Sequence, residues 1–245
     1  MMRSLRLLTL AALALALPLA LVAQTPAEIH ARYNKAIDPE GKAATIQGMK
    51  STLNMEIAAA GMRASITAMQ ARPNLMVLNI DIPGLGQMRQ GYDGTTAWSS
   101  DPMAGPRLLT GMEMTAFVDE ADMKGLLRTM ELFSAVELAG ETLVEGDRAL
   151  CLKLTWKSGR ETTECYSTTT GLITESRSKQ EAQGSVIDAV AHYQDYRMVN
   201  GLMVPHRVVQ NMMGMQQVMT LVSVEFGPQA ASLFELPPEI KALKP

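Results

Sequence analysis

From Thr45 to Trp98 the chain alternates apolar and polar residues with a period of two. Met49, Leu53, Met55 and Ile57 stand at odd positions, between Lys50, Thr52, Asn54 and Glu56. Successive side chains of a strand point to opposite faces, so this pattern predicts strands with one buried face. After Ala60-Gly61 the apolar set moves to even positions, Met62, Ala64, Ile66 and Ala68. Past Arg72-Pro73-Asn74 it continues through Met76, Leu78, Ile80 and Ile82. Met88 and Tyr92 keep the same parity into Asp93-Gly94, a dipeptide suited to a tight hairpin. The connections are short, so neighbouring strands are expected to pair antiparallel.

The remainder of the chain extends this meander. Thr25–Ala36 reads as an amphipathic helix, with Pro26 in its first turn and Ile29, Tyr33 and Ile37 at helical spacing. Ser99 to Gly111 is rich in Pro and Gly and reads as a loop. Asp119–Ala135 is predicted as a second helix, capped by Asp119 and striped by Met123, Leu126, Leu127, Met130 and Phe133. Strand patterns resume at Arg148–Trp156, Glu161–Ser167, Ile173–Lys179 and Ser185–Tyr193. Asn200-Gly201 is the strongest hairpin signal in the chain. A last strand runs from Val218 to Phe226, and Phe234-Glu235-Leu236-Pro237-Pro238 reads as an extended cover. The fold class expected is α+β: a strongly curved antiparallel sheet, an unclosed β-barrel, with helices covering its concave face.

The first residues do not fit that pattern. Arg3 and Arg6 precede an uncharged apolar run from Leu7 to Ala23, short for a membrane span and ending in small residues. This is the layout of a secretory signal peptide, with an uncleaved anchor as the alternative. Residues 1–23 are therefore set aside, and 24–245 are read as one domain of an exported protein. Removing Arg3 and Arg6 leaves 20 of the 22 basic residues against 25 acidic ones, a net charge of −5. An acidic chain of this kind argues against a nucleic-acid partner. The two cysteines, Cys151 and Cys165, fall opposite each other if Arg148–Trp156 and Glu161–Ser167 are joined by a tight loop centred on Ser158. They are then within reach of a disulfide in an oxidising compartment; two buried thiols are the alternative.

Catalytic signatures are missing from the sequence. There is no Gly-x-Ser-x-Gly elbow and no phosphate loop, and Gly84-Leu85-Gly86 is followed by Arg89 where a dinucleotide loop wants glycine. His30, His192 and His206 lack metal-ligand spacing. The reading is therefore a protein without chemistry of its own and without a cofactor or bound metal. Aromatic residues make up only 4%, yet there are 19 methionines, which suit an adaptable apolar wall. Met212, Met213 and Met215, with Met219, also raise a Cu(I) site as an alternative, because thioethers are soft ligands.

A signal peptide, a short helix and a meander ending in Gly91-Tyr92-Asp93-Gly94-Thr95-Thr96-Ala97-Trp98 come first. Thr170-Gly171-Leu172-Ile173, Asp195-Tyr196-Arg197-Met198-Val199-Asn200-Gly201 with Pro205, and Phe234 with Pro237 follow in that order. Together they resemble the outer-membrane lipoprotein-sorting proteins of the Lol carrier type, over most of the chain beyond residue 23. The resemblance implies an unclosed barrel with a helical lid, and an acylated lipoprotein or lipid as cargo. It also implies transient contact with membrane-bound donor and acceptor proteins, and a gating basic residue for which Arg63 and Arg89 are the candidates. The wall of the apolar cavity is then assigned to Met49, Leu53, Met55, Met62, Ile66, Met76, Leu78, Ile80, Met88, Trp98, Met123, Leu127 and Met130. An envelope scaffold, with every apolar stripe packed against another and no cavity left, is the alternative.

Overall fold

The computed structural model describes residues 24–182 and 185–244; the apolar run read as a signal peptide lies outside the described residues. Among the described residues thirteen strands form one antiparallel sheet. The first six are β1 (Gly48–Ile57), β2 (Met62–Ala71), β3 (Leu75–Ile82), β4 (Gly86–Tyr92), β5 (Ala97–Asp101) and β6 (Gly105–Leu108). The other seven are β7 (Phe133–Val144), β8 (Asp147–Trp156), β9 (Glu161–Ser167), β10 (Ile173–Ala182), β11 (Ser185–Val199), β12 (Leu202–Met212) and β13 (Met215–Phe226). Each run is a meander, and the two are joined where β1 pairs with β13. The outer strands β6 and β7 each have one neighbour among the described residues, so the sheet is curved but not closed.

Turn chemistry sets the meander. Glu145-Gly146, Asn200-Gly201 and Met213-Gly214 each place two residues at positive φ between strands whose flanking residues pair directly. That is the two-residue turn whose twist matches the strands it joins. At Asp93-Gly94 the Asp93 carboxylate instead accepts from the backbone N–H groups of Thr95 and Thr96, closing a four-residue turn. The register puts Cys151 opposite Cys165, and the two form a disulfide.

The helix α1 (Pro26–Ile37) starts at Thr25, which accepts from the Glu28 N–H while the Glu28 side chain accepts from the Thr25 N–H. Its buried stripe, Ile29, Tyr33 and Ile37, packs on Leu152, Leu154, Trp156 and Tyr166 of β8 and β9. The second helix is not where periodicity put it. It is α2 (Gly111–Ala121), and Asp119 lies in its last turn instead of at its start. The Met123–Phe133 stripe is broken into 3-10 turns at Met123–Leu126 and Met130–Leu132, with extended backbone at Asp122, Leu127 and Thr129. The physical reason is topological. This segment joins β6 to β7, the two free edges of the sheet, so it must cross the open concave side, and a straight helix would not track that path. Its apolar residues serve different clusters: Met123 packs with Ala43, Ile46 and Leu202, and Phe133 with the α1 core.

The Ser99–Gly111 stretch is likewise not a loop. It contains the end of β5, all of β6 and the turn between them, and Pro106 sits on the edge strand, where a missing N–H costs least. The C-terminal tail, ending in α3 (Pro238–Lys241), covers the convex face: Phe234 packs on Met69, Ala71 and Val77, and Leu236 and Ile240 on Trp98.

Candidate functional site

The crossing segment does not fill the concavity. A hollow of about 710 Å³ lies between α2, the Asp122–Arg128 segment and the sheet, walled by residues that include Met49, Phe117, Met123, Tyr193, Val208 and Met219. A second hollow of about 850 Å³ opens on the other side of Met112, against β8 to β11. Met112, Thr162 and Ala189 line both, so the two are adjacent chambers of one concave side. Volumes of this size lie in the range of ligand sites.

Register shows which of the expected wall residues share this face. Met49 is opposite Gln70, which is opposite Met76, which is opposite Tyr92. By the same ladders Leu53, Ile66, Ile80 and Met88 form one row, and Met55 and Met62 lie on the same side of their strands. Met49 and Met123 line the smaller hollow. Met76 and Leu78 pack under α2 with Phe117 and Ala121. Leu127 packs between the α1 core and the Met123 cluster.

Two expected residues stand elsewhere. Trp98 has the opposite parity to Ala97, which packs under α2, and so belongs to the convex face, fully buried against Leu236 and Ile240. Its ring occupies the space where a side chain at position 91 would start, which is why Gly91 faces it. Met130 is 51% exposed in the second 3-10 turn and lines neither hollow. The basic candidates also point away. Arg63 is exposed beside Glu56, and Arg89 stands over the Trp98 ring while donating to Asn79. Met212 and Met215 face each other across the β12–β13 hairpin, and Met213 sits exposed on its turn.

Periodicity did not single out the charged groups inside. Arg128 makes a two-pronged ion pair with Glu164, Nη2 to Oε1 at 2.8 Å and Nε to Oε2 at 2.9 Å. The Tyr166 hydroxyl donates to the same carboxylate, and the guanidinium stands over the rings of Tyr33 and Trp156. Burial alone would raise the Glu164 carboxyl; Arg128 and Tyr166 more than offset it, so its pKa lies below the ordinary value. Asn34 of α1 brackets the Arg128 backbone, accepting from its N–H at 2.7 Å and donating to its carbonyl at 2.8 Å. Opposite, Arg160 binds Asp119 at 2.9 Å, and Ser158 donates to the same oxygen at 2.8 Å. These contacts tether α2 to the β8–β9 hairpin across the hollow. The sequence did carry one signal for the first cluster: Glu164 alternates with Thr162 and Tyr166, which puts all three on one face of β9, and that face is buried.

Among the described residues no cluster of three or more His, Cys, Asp or Glu side chains is arranged to hold a metal, and no helix is long and apolar enough to cross a membrane.

No protein-family model matches the sequence, and no curated protein matches it. Solved structures do. A LolA superfamily protein of Nitrosomonas europaea aligns with a TM-score of 0.58 at 12% identity, over 87% of this chain and 99% of its own. A DUF1329 family protein of Desulfovibrio piger aligns with a TM-score of 0.58 at 14% identity, over 88% and 99%. A putative outer membrane lipoprotein-sorting protein domain of Vibrio parahaemolyticus aligns with a TM-score of 0.51 at 11% identity, over 80% and 90%. At such identities the likeness concerns the fold, and on that level it spans nearly the whole of each relative: this chain has the LolA-like fold, an unclosed antiparallel barrel crossed by helical segments.

Proposed function

We propose that this chain is an exported, non-catalytic carrier that holds the acyl chains of a lipid or an acylated lipoprotein in the hollow under α2. The observation that carries the reading is the unfilled space itself. The sheet curves around it, the crossing segment roofs it, and about 710 and 850 Å³ remain on the two sides of Met112. An apolar chain needs little polar recognition, since each buried CH₂ contributes roughly 0.8 kcal/mol. Methionines along the wall, Met49, Met112 and Met123 among them, let it adapt to different chains. The Cys151–Cys165 bridge fits an oxidising compartment, and residues 1–23 fit a cleaved export signal, so the periplasm is the proposed location. Delivery to a membrane would add transient contacts with donor and acceptor proteins.

Native mass spectrometry of the protein purified from its own periplasm tests this directly. A co-purifying lipid or acylated peptide is expected, together with displacement of a fluorescent fatty-acid probe by added lipid. Ala189→Phe, which intrudes at the junction of the two hollows, is expected to weaken probe binding while the chain stays folded by circular dichroism. If nothing co-purifies and no probe binds, the carrier reading is lost and an envelope interaction protein without cargo takes its place.

A further inference from the structure

The wall of the smaller hollow is not uniformly apolar, and its charges are not balanced. Three cations line it, and each has a carboxylate partner: Arg128 with Glu164 at 2.8 Å, Arg160 with Asp119 at 2.9 Å and Lys179 with Asp188 at 3.8 Å. Among the described residues three lining carboxylates have no cation to themselves: Glu181 on β10, and Glu120 and Asp122 at the C-terminal end of α2. The nearest cation to Glu120 is Arg160, 4.0 Å away and already engaged by Asp119. Among the described residues Asp122 accepts the Lys124 N–H alone, at 2.9 Å, through one of its oxygens. The end of a helix adds its own partial negative charge at the same place. Gln70, on the sheet below, spends its donor on the Glu120 carbonyl at 2.8 Å and keeps its amide oxygen as an acceptor. An anionic head placed here would meet carboxylates and carbonyls, whereas a cationic head would meet acceptors on several sides. The Glu120 side chain is 62% exposed, so its carboxyl stands at the open rim of the hollow, with the already engaged Arg160 as its nearest cation.

We propose that the cargo is an amphiphile with a cationic, ammonium-type head, seated against Glu120 and Asp122, with its chain passing Met112 into the larger hollow. The larger hollow suits the chain: α2 contributes Met112 and Met114, and β11 contributes Ala189 and Val190. The inference rests on the carrier reading above and adds the chemical class of the head. It gives Glu120 the role of a specificity determinant, set on the wall of the smaller chamber.

The test is displacement of a neutral hydrophobic fluorophore, N-phenyl-1-naphthylamine, from the full chain at pH 7.5. Decylamine, decanol and decanoate are compared below their aggregation limits. Each has ten carbons in an unbranched chain, and the heads are an ammonium, a hydroxyl and a carboxylate. Decylamine is expected to displace about tenfold more tightly than decanol, with decanoate weakest. Glu120→Gln should bring the amine to parity with the alcohol. Glu120→Lys should reverse the order in favour of decanoate. Equal displacement by all three, or an amine preference that survives Glu120→Gln, overturns the head-group assignment and leaves the carrier standing. No displacement by any of them overturns the carrier reading and the head-group assignment with it.

Discussion

The two ends of the sheet are built from different materials. Under α1, strands β7 to β9 are packed with rings: Phe133 lies 4.9 Å from Trp156, Tyr33 5.6 Å from Tyr166, and His30 within 6 Å of both Phe133 and Tyr166. A buried ion pair and a disulfide pin the same region. Under α2, strands β2 to β5 are packed by Met76, Leu78, Ala97, Leu109 and Phe117, and their outer face is closed by a tail held through Phe234, Leu236 and Ile240. One region is locked by directional contacts and the other is held by soft, non-directional ones. The hollow lies between them. A binding wall of this kind has a fixed side that keeps the sheet curved and a yielding side that takes up differences in the guest.

The largest expected effect breaks the locked side. Arg128→Ala leaves the Glu164 carboxylate buried without its partner, and a loss of about 3–5 kcal/mol in urea unfolding is expected. Arg128→Met combined with Glu164→Gln should recover most of it, because the uncompensated charge is gone. A single-variant loss below about 1 kcal/mol would mean the pair is not what holds this region. Next, the Cys151–Cys165 bridge closes a separation of 14 residues. Replacing both cysteines with alanine is expected to cost about 3 kcal/mol. Limited proteolysis should then open β8–β9 before β2–β3; cleavage in the opposite order would contradict the assignment of rigidity.

A pH titration sharpens the same contrast. His30 is 2% exposed, neither ring nitrogen has a hydrogen-bond partner among the described residues, and burial chiefly lowers its pKa from 6.5 to about 4. Glu164 nearby pulls the value up and Arg128 pushes it down. The folded state therefore binds fewer protons than the unfolded one. The stability this contributes is fully present above pH 6.5 and is lost as the pH falls through about 4, up to about 3 kcal/mol in all. Denaturant midpoints between pH 7 and 4 should fall accordingly, and His30→Leu should flatten that decline. A decline of the same size in the variant would assign it to other groups.

Sheet, strand order within each meander, cysteine pairing and covering tail were legible because they follow from local rules. A period of two, a two-residue turn and a short loop each act over a few residues, and they agree with one another. The segment from Gly111 to Phe133 was not legible for the opposite reason. Its residues satisfy a helical stripe, but their path is dictated by two sheet edges that meet it only in the folded chain. Trp98 was misplaced because a tryptophan closing an apolar run fits either face, and the tail that covers it lies more than a hundred residues away in sequence. The inner charges escaped because a lone Glu164 or Arg128 reads as a surface residue until β9 and the crossing segment bring them together.

The smallest effect expected is the one that separates the two materials most cleanly. Met76→Leu, under α2, conserves volume and apolar character and should cost under about 1 kcal/mol. Tyr166→Phe conserves the ring but removes the hydroxyl that donates to Glu164, leaving a buried carboxylate short of a donor, and should cost about 1–2 kcal/mol. Both residues are nearly fully buried, so exposure does not explain the difference. What differs is directionality: a thioether contact survives a change of shape, and a hydrogen bond to a buried carboxylate does not survive loss of its donor. Urea curves of the two variants side by side decide the point. Equal losses would make the two sides alike, and the adaptable wall would then have to be sought outside β2 to β5.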